Sequence, residues 1–320
     1  EQVQTEIGTA GDWLVAGLRN GRLGIASSRT GKVLRVVELG GLRDVEGAPV
    51  VSGDRTWYLT NESTLECVRL ETGAMAPGWP VQLSSPPISG LTLRDGRLLY
   101  VDRENVVHCL DQSSGRSYWT RQLDGAPVGP PVLERRIARV ALADGRIVGI
   151  DAIDGRPIGQ VRSPAGLSTR PSTLDDQMWF GCTDNRVRCM SERTGRVLWD
   201  VDIGRVPADG ELVVGRTAVA VLTTGDRVVL LDRATGNQVA EAKLSAPLVS
   251  MRLHGNALLT VSRTPRDVRR EARDLLQARD ASTLAMLWEY EDEGTFLGGP
   301  GTDGTYVGVA GADGDVVLLR

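Results

Sequence analysis

Short runs of alternating apolar and polar residues follow one another along the whole chain, each closed by Gly, Asp, Asn or Pro. A period of two marks a strand with one face buried, and the closing residues mark the turns between strands. The clearest stretch reads 170–174, 177–182, 186–190 and 196–203, with turns at Asp184-Asn185 and at Glu192 to Gly195. It predicts four antiparallel strands joined by hairpins. The unit recurs. Its last turn places a glycine at Gly31, Gly73, Gly115, Gly155, Gly195 and Gly236, spaced by subtraction 42, 42, 40, 40 and 41 residues, and Leu284 takes the position once more. Four short strands repeated about every forty residues make the blade of a β-propeller.

Seven turn positions define seven blades, and the tail, 305–310 with 315–319, supplies strands for an eighth that lacks its outer strand. Residues 3–8 match 199–204 in position, so the N-terminal strand is expected to complete the last blade and leave no open edge. The expected fold is all-β: an eight-bladed propeller of four-stranded antiparallel blades, forming one domain over 1–320. Seven blades is the alternative count.

Further positions recur in the same register. Four residues before the turn position stand Asp111, Asp151, Asp232 and Asp280, where a carboxylate accepts the backbone N–H groups of the turn. Four residues after it stand Trp119, Trp199 and Trp288. They are expected to lie between neighbouring blades and to fill the gap that widens toward the rim. Trp79 comes two residues late, and blades one, four and six carry Arg35, Gly159 and Ala240 instead. Six residues before the turn position stand Cys67, Cys109 and Cys189, where other blades have Ile25, Gly149, Leu230 and Ala278. A free thiol packs in such an inward-facing place as a small hydrophobe. Cys182 and Cys189 flank the turn at Asp184-Asn185, and a bridge between them is the one disulfide the spacing leaves open.

The run 107–115 through Trp119, and the run 193–199, resemble the tryptophan-docking repeat of pyrroloquinoline-quinone (PQQ)-type propellers, over essentially the whole chain. That superfamily contains quinoprotein dehydrogenases and a non-catalytic, BamB-like branch. The resemblance to the second branch implies a scaffold that binds a protein partner within a bacterial envelope assembly. It also implies a periplasmic or extracellular location. The dehydrogenases add long loops around the quinone, a disulfide between adjacent cysteines, calcium-binding carboxylates and a catalytic Asp. This chain has no Cys-Cys pair, its turns are short, and no such carboxylate set stands out. The expectation is therefore no catalysis, no cofactor and no metal. A ligand-sensing domain of a larger receptor or kinase is the second reading, and a quinone-dependent dehydrogenase the third.

Composition narrows the partners. The net charge of −4 and pI near 5.4 argue against nucleic acid. No apolar run reaches the eighteen or so residues of a membrane span, while a tether through a removed N-terminal segment is compatible with the start at Glu1. Four cysteines without evident partners favour the cytoplasm as the alternative location. The two histidines, His108 and His254, read as ordinary strand and loop residues, and Asp313-Gly314-Asp315 reads as a hairpin turn. One break in the repeat remains. Between 258–262 and 275–278 blade seven inserts a charged segment holding Arg263, Arg266, Arg269, Arg270 and Arg273. These five arginines are the candidate partner-binding residues, reaching for an acidic surface; a solvated insertion is the plainer reading. Trp119, Trp199 and Trp288 are the candidate docking residues. Trp199→Ala is expected to cost about 3–5 kcal/mol in denaturant unfolding; a near-neutral result removes Trp199 from the space between blades.

Overall fold

The alternating runs form antiparallel sheets in which chain order and spatial order coincide. The computed structural model describes residues 8–18, 21–27, 32–40, 43–207, 212–263, 274–292, 301–302, 307–310 and 316–319. Seven four-stranded sheets span 8–38, 45–82, 92–122, 132–162, 172–202, 213–243 and 248–292, and a three-stranded sheet spans 301–319. They are the blades of a β-propeller. Among the described residues seven blades are complete, which matches the smaller of the two expected counts. The strand expected from residues 3–8 to finish the last sheet lies outside the described residues, except for Gly8, which opens the inner strand of the first blade, Gly8–Ala10. In blade five the strands run Ser172–Leu174, Gln177–Gly181, Arg186–Ser191 and Val197–Asp202, from the axis outward.

Inner strands of successive blades lie side by side around the axis. Gly8–Ala10 packs against Val45–Ser52, Val213–Val214 against Leu248–His254, and Gly301–Thr302 against Gly8–Ala10, which brings the last sheet beside the first. Hydroxyls tie neighbours together here: Thr92 Oγ1 donates to the Pro131 carbonyl (2.6 Å) and Ser172 Oγ to the Leu212 carbonyl (2.7 Å). The core is a series of slabs between blades. One slab joins Leu99 and Trp119 of blade three to Leu133 and Ile150 of blade four; the next but one joins Trp179 and Trp199 to Val219 and Leu231.

The turn glycines explain how the tryptophans seat. Gly155 and Gly236 adopt φ of +75° and +77°, and a Cβ on either would stand 2.9 or 2.7 Å from the ring of Trp119 or Trp199. Left-handed backbone and missing side chain are both needed. The indole N–H of Trp119 donates to the Ala152 carbonyl and that of Trp199 to the Arg233 carbonyl, each at 3.0 Å and each three residues before the glycine it covers. Trp79, despite its late position, also reaches Gly115, with the edge of its ring beside Val81 and without the indole hydrogen bond of the other two. Trp288 keeps the register, facing Ala278 as Trp199 faces Cys189, but stands 36% exposed.

Blades six and seven exchange large for small. Ala240 stands where Trp199 stands in blade five, and the following turn carries Leu284 in place of glycine, buried against Ala240 and Ala242. Leu284 has φ of +60°. That backbone costs a leucine about 1–2 kcal/mol, which burial of the side chain, worth about 1.5–3 kcal/mol, offsets.

All four cysteines are free and buried. Cys182 and Cys189 face opposite sides of blade five, the first packed with Phe180 and Met190, the second with Trp179 and Trp199, so no bridge forms between them. Burial pushes the Cys67 and Cys189 thiols up to about 12 and Cys109 to about 11. The turn aspartates accept the hydrogen bonds their spacing implied. Asp232 Oδ1 takes the backbone N–H groups of Ala234 (3.1 Å) and Thr235 (2.8 Å) together with the Thr235 hydroxyl (2.7 Å).

Two predictions follow from these turns. Ala240→Trp alone should destabilise by about 1–3 kcal/mol through overpacking on Leu284, and Leu284→Gly alone should also destabilise. The double variant should fall short of their sum by at least about 1 kcal/mol in a denaturant double-mutant cycle, whereas strict additivity would refute the exchange. The Thr235 hydroxyl and the turn N–H groups hold Asp232 below the usual carboxylate range. Its stabilising effect is therefore full above the unfolded value near 4 and is lost as pH falls through that value toward the lower folded one. Asp232→Asn should lower the melting temperature by about 1–3 °C at pH 7, with the gap narrowing as the pH falls below the unfolded carboxylate value; a gap unchanged with pH would contradict the assignment.

Candidate partner-binding face

Each blade turns between its second and third strands on one face of the ring and makes its other two turns on the opposite face. In blade three the first face carries Asp102 to Asn105, which the outer strand reaches when the Leu123 N–H donates to Asn105 O (2.9 Å). The opposite face carries Asp95-Gly96 and the turn ending at Gly115, joined when Gln112 N–H donates to Gly96 O (3.0 Å).

Behind the first face lies a row of buried polar side chains, all seven residues before the turn position: Glu66, His108, Arg188 and Gln277. Glu66 accepts from the Tyr58 hydroxyl (3.0 Å), the Thr64 hydroxyl (3.0 Å) and Arg43 Nη1 (3.1 Å), and Arg43 Nε also donates to Glu62 (2.7 Å). Burial, and then the Glu66 charge, push the Tyr58 hydroxyl well above the usual phenol range. His108 Nε2 lies 2.7 Å from Asp102 Oδ2, and its ring stacks on Tyr100 with centroids 4.5 Å apart. Asp102 Oδ1 accepts the backbone N–H groups of Glu104 (3.1 Å) and Val106 (2.8 Å). Arg188 donates to both oxygens of Asp184 (2.7 and 3.0 Å) and to Asp200 (3.2 Å). Gln277 donates to Glu289 and accepts from Arg279. An unpaired charge in such a place would be costly, and each of these is satisfied by its own blade or the adjoining linker.

The chemistry of this row is structural. Glu66, His108 and Arg188 fasten the turns of their blades to the sheets beneath, Gln277 ties strands of blade seven together, and none of the four is an activated nucleophile. Among the described residues no group of three or more His, Cys, Asp or Glu is placed to hold a metal ion. Sequence reasoning read His108 as an ordinary strand residue and missed the row, although the seven-residue offset was available in the repeat register. Surface arginines of the same face are also committed: Arg146 to Asp124 and Asp144, Arg186 to Asp200, and Arg227 to Glu241.

Blade seven departs from this pattern. Its second and third strands, Ala257–Arg263 and Asp274–Asp280, pair as far as Arg263 opposite Asp274, so residues 264–273 join them at the first face. Arg263 is half-buried at the strand end, and its backbone N–H donates to the Pro247 carbonyl (2.8 Å). Arg266, Arg269, Arg270 and Arg273 lie outside the described residues, as does Asp313-Gly314-Asp315. His254 ends an inner strand. No described helix is long and apolar enough to cross a membrane.

Comparison with known proteins agrees with this architecture. The crystal structure of BamB from Moraxella catarrhalis superposes with a TM-score of 0.79 at 17% identity, covering 99% of this chain and 98% of that one. A computationally designed protein, Ika8, matches with a TM-score of 0.79 at 14% identity over 100% of this chain and 96% of its own. Sqt1 of Saccharomyces cerevisiae gives 0.77 at 10% identity over 100% and 95%. At such identities these likenesses speak for the fold. In sequence, the outer membrane protein assembly factor BamB of Yersinia pestis is 19% identical over 227 residues, which cover 64% of this chain and 56% of that protein. The family model of outer membrane protein assembly factor BamB matches residues 76–182 and 183–320. With that much of its length matched, the chain belongs to the BamB family of PQQ-type propellers.

Proposed function

We propose that this chain is a non-catalytic scaffold that holds a protein partner during outer membrane protein assembly, in the periplasm of a bacterial envelope. The observation that carries this reading is the broken hairpin of blade seven. The described turns of the first face are short, those of blades two, three and five being fastened by Glu66, His108 and Arg188, whereas ten residues separate Arg263 from Asp274. Those ten hold four arginines against Asp267 and Glu271. Arg263, Arg266, Arg269, Arg270 and Arg273 would meet an acidic surface of the partner, where planar guanidinium groups favour carboxylates. Family membership supports the envelope setting, because the relatives are described as outer membrane assembly factors. A rigid ring suits the task, since it presents a loop at little further ordering cost.

The test replaces the native copy in cells with a chain lacking Arg266 to Arg273, and separately with Arg266, Arg269, Arg270 and Arg273 all changed to Glu. Both purified variants should melt within about 2 °C of the parent. Both should reduce outer membrane protein levels toward those of a null strain and lose a partner that the parent retains after cross-linking. Full assembly activity in the charge-reversed strain would overturn the reading.

A further inference from the structure

At three interfaces between blades, one side chain of the second strand meets the residue three before the next blade's turn position. Trp57 Nε1 donates to the Gln112 carbonyl at 3.2 Å. Arg139 Nη1 lies 3.2 Å from Glu192 Oε1, both side chains 9% exposed. Trp179 receives the Arg233 guanidinium over its ring at 5.2 Å. Between blades six and seven the two positions hold Ala220 and Ala281, and a cleft of about 340 Å³ opens there. Leu284 compensates for the missing tryptophan nearer the rim; no large side chain does so here.

Val213, Leu230, Leu253 and Leu258 add apolar walls. The cleft opens on the face opposite the blade-seven insertion, beside the hairpins at Gly215 and Gly255. Exposed Arg216 stands at its mouth. Among the described residues only the Arg216 carbonyl is engaged, by Arg233 Nη1 at 3.3 Å, and its guanidinium has no hydrogen-bond or ion-pair partner. Asn256, on the other lip, donates to Asp280 Oδ2 (3.0 Å), and the second oxygen of Asp280 is held by Ser282 and Thr283, so that carboxylate is committed within blade seven.

We propose that this cleft is a binding site for a small aromatic carboxylate, with a flat ring of one or two cycles against Ala220 and Ala281 and its acid group on Arg216. The ring would occupy the place that Trp57 and Trp179 fill from within at other interfaces. Space is sufficient: an apolar cavity of about 150 Å³ accepts benzene, and pockets for small ligands start at about 300 Å³. The two sheets cannot close over the gap, because blade spacing is set by the remaining interfaces of the ring. A guanidinium with no described partner, beside a cleft walled by alanine, valine and leucine, selects an anion bearing a ring.

The experiment titrates indole-3-acetate, indole and N-acetyltryptophanamide into the full chain, followed by calorimetry and melting temperature. Indole-3-acetate should saturate with Kd below about 1 mM and raise the melting temperature, with indole at least about threefold weaker. Ala220→Trp, which places a ring in the cleft from the protein's own chain, should abolish binding. Ala281→Phe fills it from the opposite wall and carries the test if Ala220→Trp folds poorly. Arg216→Gln should erase the preference for the acid while keeping indole binding. Absence of saturable binding to the parent at about 10 mM, or unchanged binding to a folded, filled variant, would overturn the proposal. Tighter binding of N-acetyltryptophanamide than of indole-3-acetate would also overturn it, and would assign the cleft to an aromatic side chain of a peptide.

Discussion

The described blades are largely apolar on both faces, and the neighbouring blades cover them. A single blade would leave its two faces in water, so the hydrophobic gain arrives when blades stack, and no blade is a core by itself. Ring geometry adds a second demand. Sheets that touch at the axis diverge toward the rim, and the wedge between them must be filled at native density. Small inner groups such as Gly8, Thr92 and Ser172 at the axis, and tryptophans against glycines farther out, are the two ends of one solution.

The interfaces solve the wedge differently, and the differences have consequences. Trp199 on Gly236 and Ala240 against Leu284 place similar bulk in the gap from opposite sides. Arg139 with Glu192 replaces an apolar contact by a buried ion pair, whose attraction is largely cancelled by desolvation. Burial raises the Glu192 carboxyl above its usual range, with the Arg139 charge acting against it. Stability at that interface therefore rests on the neighbouring apolar slab of Phe180, Met178 and Leu167 rather than on the pair. The pair instead distinguishes this interface from its neighbours: Arg139 set against Arg233, or Trp179 against Glu192, would leave a charge poorly matched. Repeats of nearly equal backbone thereby acquire a preferred order.

Legibility followed the same division. Period, alternation and turn residues are local, and they predicted the blades, the capping role of Asp232 and the register of Trp119 and Trp199. Trp79 was harder to read because the outer strand of blade two is only Val81–Gln82, and the chain before it bends so that a late residue still covers Gly115. The polar row at Glu66, His108, Arg188 and Gln277 was hidden for another reason. Its members share a position but no chemistry, so each looks incidental until the cross-strand partner supplies the meaning: Tyr58, Tyr100, and the carboxylates Asp200 and Glu289. The cleft at Ala220 and Ala281 was the least legible, since alanine in a strand is unremarkable and a void appears only when both walls are known. The arginine segment of blade seven could be read directly, as a break in the period.

A fold so strongly repeated confines specific function to its departures from the repeat. Conserving the interfaces is a condition for the ring to exist, so residues that satisfy them are poorly placed to serve as variable contacts for a partner. Two departures leave the ring closed and still change what it presents. One lengthens a turn on the face where Glu66, His108 and Arg188 fasten the turns of their own blades, by a segment of ten residues that holds four arginines. The other removes bulk from both walls of one interface and leaves a cleft on the opposite face beside Arg216. Each is tolerated for the same physical reason: the closed ring distributes the load over its remaining interfaces, and a local loss of packing or an added loop costs a few kcal/mol at most while the blade spacing holds.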